Sequence, residues 1–390
     1  MRKNYFVVLL LIFSAAYGGF LIGKKQLRLE YQNARPAIVL DRLSKAKENP
    51  PANFSTFWIV WDKLNERFVD KTALNSQRMV YGAISGMVAA LGDPFTAYFP
   101  PKQNGEAKED LSGQFQGVGI QIDIKDKQLV VVAPIVDSPA EKAGIKAGDA
   151  ITKIDEKSTE GMSAGEAVGF IKGPKGTKVA LTVNRAEKEI IFDLTRAVIT
   201  VRSVSFENLE RNGKKYAWIK LTKFGDLTQS QWLDVVAKVD SRYQGIILDL
   251  RNNPGGYLEG AVYVAGEFLP SGKLVVSQQS GGGQALDYKV DRNGRLLKQK
   301  LAVLINGGSA SASEILAGAL QDYGRAKIVG EKSFGKGSVQ QPEDLPDGSG
   351  IHITIAKWLR PSGEWIDKRG ITPDIVATES AQLEKAIQLL

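Results

Sequence analysis

Two short stretches, Gly245–Leu250 and Leu301–Asn306, are apolar almost without a break. A β-strand presents alternate residues to opposite faces, so a strand that lacks polar alternation has to be covered on both sides. Such strands belong inside a largely parallel sheet, with helices supplying the cover. Helix-like segments follow the two runs at Tyr257–Phe268 and Ser311–Leu320. A third apolar strand, Ala326–Gly330, leads into a glycine-rich loop, and residues 200–378 therefore predict one α/β unit.

At 390 residues the chain exceeds what a single core organises, so two or three units are expected. Residues 112–198 carry short strands at Gly117–Asp123, Leu129–Pro134, Ala150–Ile154, Lys178–Val183 and Glu189–Leu194, with helical pieces near Ser138–Ala143 and Ser163–Ile171. A free strand edge beside a helix in such a unit is a slot for an extended peptide. Upstream, Phe54, Phe57, Trp58, Trp61, Leu64 and Phe68 recur at helical spacing. A second helical pattern through Met79, Val80, Ile84, Met87 and Leu91 is stopped by Gly92-Asp93-Pro94. Core packing is expected of the aromatic stripe, with a dimer contact, and so a homo-oligomer, as its other outlet. Residues 52–110 thus predict a helical segment, residues 24–51 a polar, Pro-containing linker, and residues 379–390 a terminal helix. The expected fold class is α+β, and no internal repeat is found.

The chain has no cysteine and one histidine. Disulfides, thiol nucleophiles and zinc sites built on Cys or His are excluded, and no metal or cofactor is expected. A net charge of +8 invites a nucleic-acid reading, but residues 1–50 hold nine Lys/Arg against three Asp/Glu, so +6 of it sits there. The body of the chain shows no basic arm with interleaved aromatics, and no nucleic-acid partner is expected. Arg2-Lys3 precede a run free of charge from Asn4 to Gly23, followed by Lys24 and Lys25. Residues 1–23 therefore read as a signal peptide, or as a membrane anchor if retained. The expected location is extracytoplasmic: exported or periplasmic, anchored to the cytoplasmic membrane in the second case.

Candidate chemistry sits in three loops. In Ile305-Asn-Gly-Gly-Ser-Ala-Ser311-Ala-Ser313-Glu314-Ile315, a serine lies between a buried strand and an apolar helix, where free backbone N–H groups at the helix start suit a developing oxyanion. The same Ser-x-x-Glu pattern is also an ordinary capping box. The only histidine, His352, lies in an alternating strand where a polar side chain normally faces solvent. A lysine kept neutral by burial can replace it as base. Lys336 fits this within Glu331-Lys-Ser-Phe334-Gly335-Lys336-Gly337-Ser-Val-Gln340, with Phe334 to exclude water and Gln340 to aim the amine. A structural hairpin is the plainer reading of that loop. Gly330-x-x-x-x-Gly335-Lys336 also mimics a phosphate-binding loop, but Gly337 replaces the hydroxyl residue and no helix pattern follows. In Asp249-Leu-Arg251-Asn-Asn253-Pro254-Gly255-Gly256, a Pro-Gly-Gly turn after a buried strand exposes N–H groups, although a tight turn with an Asp249–Arg251 ion pair would look the same.

Together LDLRNNPGG, SASASEI, VGEKSFGKGSVQ and KWLRPSGEWIDKRGITPDI resemble, in order and at family spacing, the carboxyl-terminal processing (tail-specific) serine proteases. The resemblance runs from about Phe54 to Ile375. It implies a crotonase-like ββα protease core and a PDZ domain at 112–198. It also implies Ser311 as nucleophile, Lys336 as general base, Gln340 as its orienting partner, and backbone amides of Gly256 and Ala312 as oxyanion hole. Gly117, Val118, Gly119 and Ile120 become the loop that takes a C-terminal carboxylate, the tail adding as a strand beside Ile120–Ile122. Lys172 stands where an arginine would be expected, which keeps the charge and loses the planar fork. The partners implied are proteins or peptides with accessible C-terminal tails. Glu314 reads as structural. The alternatives are a catalytically silent PDZ scaffold that binds protein C-termini and a histidine-assisted serine hydrolase.

Overall fold

The computed structural model describes residues 54–390 and the backbone of residues 27–32 and 35–40. The segment 1–23, read above as leader or anchor, lies outside the described residues. Among the described residues no helix is long and apolar enough to cross a membrane. The chain divides into two units, Met1–Met79 and Val80–Leu390.

In the first unit, strands Leu27–Gln32 and Arg35–Leu40 pair antiparallel inside the stretch expected to be linker. Helix Ser55–Arg67 carries the aromatic stripe and buries none of its residues, and Trp58 is 56% exposed. The core-packing expectation is therefore not met here. Apolar residues at 57–61 and 64 wrap most of the helix circumference, so no single face is left to bury. The rings instead pack on one another, Phe57 against Trp58 at 5.1 Å and Trp58 against Trp61 at 6.2 Å between centroids.

The second unit contains three larger sheets and one two-stranded pair among the described residues. Residues 118–195 form an antiparallel sheet in the order Lys188–Thr195, Lys178–Arg185, Ala150–Ile154, Gln128–Pro134, Ile120–Lys125. Its core holds Leu129, Val131, Ile151, Leu181 and Val183, covered by helices Pro139–Ala143 and Ala164–Ile171. Ile120–Lys125 pairs on one side only, leaving a free edge. The single strand expected at Gly117–Asp123 is broken by Gly119 at φ +78°, so Gln114–Gly117 leaves the sheet to pair with Ala197–Thr200.

The larger core is built on a sheet in the order Val204–Arg211, Lys214–Leu221, Tyr243–Asp249, Leu301–Ile305, Lys327–Gly330, Ile375–Val376. Only the first pair is antiparallel. The double burial inferred from the apolar runs is seen residue by residue. Ile246, Leu248, Val303 and Ile305 pack in the core of helices Leu258–Phe268 and Ala312–Asp322. Ile247, Ala302 and Leu304 pack on the other face with Ala386 of helix Glu379–Gln388. A second, antiparallel sheet runs Ala285–Lys289, Leu274–Ser280, Gly350–Leu359, Ser338–Asp344. Its long strand Gly350–Leu359 also pairs with Ala97–Phe99, so the segment expected to be helical throughout contributes a strand after Gly92-Asp93-Pro94 ends helix Ser76–Ala89.

Candidate active site

Strand Leu301–Ile305 runs through five small or polar residues into Ser311, and helix Ala312–Asp322 begins at the next residue. Ser311 sits at φ +53°, ψ −115°. For a residue with a Cβ this region costs on the order of 1–3 kcal/mol, so neighbouring contacts must impose it. Asn253 supplies two of them. Its carbonyl accepts from the Ala310 N–H and the Ser313 hydroxyl, each at 3.0 Å. Its buried amide is fixed in turn, donating to the Leu221 carbonyl at 2.7 Å and accepting from the Gly255 N–H at 2.9 Å.

The Pro254–Gly256 turn lies directly against the serine. A Cβ on Gly255, at φ +105°, would fall 2.8 Å from the Ser311 Cβ, and one on Gly256, at φ +132°, would fall 2.0 Å from the Phe224 carbonyl oxygen. Only glycine permits this approach. Among the described residues, neither the Gly256 N–H nor the Ala312 N–H donates a hydrogen bond within the protein. Asp249 and Arg251 form the ion pair the tight-turn reading anticipated, with two bonds of 2.6 and 2.8 Å.

Glu314 joins this turn to the lysine loop. Its carboxylate is 1% exposed and accepts from the Ser311 N–H at 2.8 Å, the Lys336 N–H at 3.0 Å, the Gly335 N–H at 2.6 Å and the Ser333 hydroxyl at 2.5 Å. Burial pushes its pKa up, opposed by these bonds. The capping-box spelling anticipated the first contact alone. The other three come from residues 19 to 22 positions away, so one side chain sets the spacing between the two loops.

Burial holds the Lys336 ammonium pKa below its ordinary value, while the charges of Asp93 and Glu314 pull the other way. The cover is not the one expected. Phe334 is 57% exposed, and the amine lies over the ring of Phe95, 5.1 Å from its centroid. Gln340 donates from its amide nitrogen to the Ser338 hydroxyl at 2.8 Å and the Thr354 hydroxyl at 3.1 Å. Its carbonyl oxygen is left over, and no bond to the Lys336 amine is formed in this structure. His352 does not face open solvent as expected. It is half-buried, packs on Phe99 at 4.6 Å, and has its pKa lowered by burial and then by the charge of Lys336.

Ser311, Lys336, Gln340, His352 and Gly256 line one open cleft, with Ala312 buried beneath it. Gly117, Val118, Gly119 and Ile120 lie outside that cleft. The Val118 and Gly119 carbonyls accept from the Ala140 N–H at 3.0 Å and the Ile135 N–H at 2.9 Å, and neither residue's own N–H donates to another of the described residues. Gly117, Val118 and Gly119 are buried in this structure. The residues around Lys336 that were missed are Asp93, Phe95, Thr96 and Thr354: the sequence presented Asp93 as part of a helix stop and Thr354 as part of an alternating strand, and it marked Phe95 and Thr96 in no way.

Residues 215–377 match Peptidase family S41, and residues 130–185 match a PDZ domain. The chain is 35% identical over 378 residues to the carboxy-terminal processing protease CtpA of Bacillus subtilis (strain 168), covering 96% of this chain and 77% of that protein. It is 38% identical over 340 residues to a probable CtpA-like serine protease of Staphylococcus aureus (strain MRSA252), covering 87% of this chain and 67% of that protein. Among solved structures, a photosystem II D1 C-terminal processing protease superposes with a TM-score of 0.51 at 30% identity, covering 86% of this chain and 96% of that one. With a strained serine turn, a buried lysine loop and a PDZ domain in one chain, and with these relatives, the protein belongs to the CtpA-type family of carboxyl-terminal processing serine proteases.

Proposed function

We propose that the protein is a serine endopeptidase that cleaves exported proteins near their C-termini, with Ser311 as nucleophile and Lys336 as general base. The observation that carries this reading is the Glu314 carboxylate, which accepts from the Ser311 N–H and the Lys336 N–H and so keeps the two loops at a fixed separation beside one cleft. Neutral Lys336 takes the proton of the Ser311 hydroxyl as its oxygen attacks the scissile carbonyl. The oxyanion that forms accepts from the Gly256 and Ala312 N–H groups, which donate to none of the described residues. Collapse breaks the C–N bond, and the leaving amine takes the proton from the Lys336 ammonium. Water, deprotonated by Lys336, then hydrolyses the acyl-serine ester and restores both groups.

Gln340 orients the amine in this scheme. The tail binds as a strand on the free edge Ile120–Lys125, its carboxylate on the N–H groups of the Gly117–Ile120 loop. Export rests on the uncharged run Asn4–Gly23 between Arg2-Lys3 and Lys24-Lys25, which would leave the enzyme extracytoplasmic, or anchored if the run is kept.

The test is cleavage of an unstructured peptide with a free apolar C-terminus, together with labelling of Ser311 by a fluorophosphonate. Ser311→Ala and Lys336→Ala should each lower cleavage by about a thousandfold or more, and chelators should leave the wild-type rate unchanged. Cleavage that survives either substitution, or inhibition by EDTA reversed by added metal, would sink the assignment. A silent PDZ scaffold would bind the peptide and neither cleave it nor take the label.

A further inference from the structure

The turn that ends helix Ser76–Ala89 reaches the catalytic sheet through a set of hydrogen bonds the reaction scheme does not use. Asp93 accepts from the Phe95 N–H at 3.1 Å and the Thr96 hydroxyl at 2.6 Å. The Thr96 oxygen accepts in turn from the Thr354 N–H at 3.0 Å, which pins the middle of strand Gly350–Leu359 to this turn. The Thr354 hydroxyl also lies against the Asp93 carboxylate, whose ionised form it favours. On its other side the Thr354 oxygen accepts from the Gln340 amide nitrogen at 3.1 Å. Against partial burial, which raises it, the Asp93 pKa is held below the usual carboxylate range by the bonds from Thr354, Thr96 and Phe95.

The polarity of this chain is fixed at one end. An ionised carboxylate can only accept, so the single proton of the Thr354 hydroxyl points to Asp93 and its oxygen presents lone pairs to Gln340. The Gln340 amide then has to turn its NH₂ toward Thr354 and Ser338, where it is found, and its oxygen the other way. Were the Thr354 proton free to point at Gln340, the amide could flip and present donors to an amine that is itself a donor when charged. We propose that Asp93 is a positioning residue for the catalytic base: through the Thr354 hydroxyl it fixes the Gln340 amide with its oxygen available to Lys336. The proposal rests on the Ser311–Lys336 reading above.

Asp93 also acts on the base through its charge. The charged and titratable groups facing the Lys336 amine are Asp93 from the turn, Glu314 from the serine helix and His352 from the long strand. Asp93 and Glu314 favour the ammonium. Replacing Asp93 by a neutral residue therefore makes Lys336 easier to deprotonate while loosening its partner, and the two effects move different parameters.

The experiment uses the full chain. The rate of Ser311 modification by a fluorophosphonate is followed by intact mass as pH is raised toward the ordinary lysine value, below which burial places the titration of Lys336. Cleavage of the apolar-tailed peptide is measured alongside. Asp93→Asn should lower the high-pH plateau by about tenfold or more and shift the midpoint to lower pH. Thr354→Val should lower the plateau by a similar factor with the midpoint unmoved, and Thr354→Ser should restore most of the rate. A wild-type plateau and midpoint in Asp93→Asn, or a Thr354→Val as fast as Thr354→Ser, would overturn the proposal. If Asp93→Asn does not fold, the Thr354 pair decides. Lys336→Ala separates the two levels: if it labels as fast as wild type, the underlying assignment of the base has failed, and not only its positioning.

Discussion

The molecule has two glycine-dependent loops with spare backbone donors, and they are held in opposite ways. At the Ser311 turn, Asn253 and Glu314 tie three segments together, and the Gly256 and Ala312 N–H groups are left beside an open cleft. At the Gly117–Ile120 loop, the Val118 carbonyl accepts from the Ala140 N–H at the start of helix Pro139–Ala143 and the Gly119 carbonyl from the Ile135 N–H and the Ser138 hydroxyl, but Gly117, Val118 and Gly119 are buried. Phe115 and the backbone of Lys172 lie against Gly117, and Ser138 and Ile199 lie against Gly119. Lys172 is itself held by an ion pair of 2.7 Å to Glu109. Donors that stabilise a transition state gain from rigidity, since no reorganisation is then needed during the reaction. Donors that capture a chain end must be reachable, so under the proposed reading a tail bound at this loop has to displace its neighbours first.

Removing the Glu314 tie should have the largest effect. Glu314→Ala strips four donors of their acceptor in a buried site and should lower unfolding free energy by about 3–5 kcal/mol, read by urea denaturation, with peptide cleavage lost. A loss under about 1 kcal/mol would mean that water replaces the carboxylate and that the two turns hold themselves. The matching change in the PDZ loop is smaller. Gly119→Ala places a methyl 2.3 Å from the Ser138 Cβ at φ +78° and should cost about 1–3 kcal/mol. Fluorophosphonate labelling of Ser311 should survive this change while cleavage of a tailed peptide falls. Equal loss of both would erase the distinction between the two loops.

The smallest effect is on Lys336 itself. Burial lowers its pKa in the folded protein below the ordinary lysine value of 10.5. Between those values the unfolded chain holds a proton the native state lacks, so this group makes stability rise with pH across that window. Lys336→Met should therefore melt slightly above wild type at neutral pH, and the gap should close as pH approaches the ordinary lysine value. Under the proposed mechanism, catalysis by the wild type should rise with pH through the folded-state pKa of Lys336, the lower edge of that window, because only the neutral amine is a base. A melting gap that stays constant with pH would locate the effect in packing.

The parallel core was legible because Gly245–Leu250 and Leu301–Asn306 lack the polar alternation a one-sided strand would show. The Ser311 and Lys336 loops were legible because their small residues are grouped in sequence. What stayed hidden depends on distant pairings. Ala97–Phe99 is three residues long, too short to display a period, yet its pairing with Gly350–His352 carries Asp93 and Phe95 to the lysine. His352 follows its strand's alternation, but the face it points from lines the cleft instead of open water. Phe334 is next to Gly335 in sequence and was the natural choice of cover, whereas the ring that supplies it is 241 residues upstream of the amine. The aromatic helix failed for a different reason: its rings satisfy one another locally, and spacing alone does not reveal that.

The positive φ at Ser311 sets folding against the side chain. At φ +53° glycine would be the residue of least cost, so a residue chosen for folding alone would be glycine. The serine found there weakens the fold locally, and its hydroxyl has to be accounted for by something other than folding.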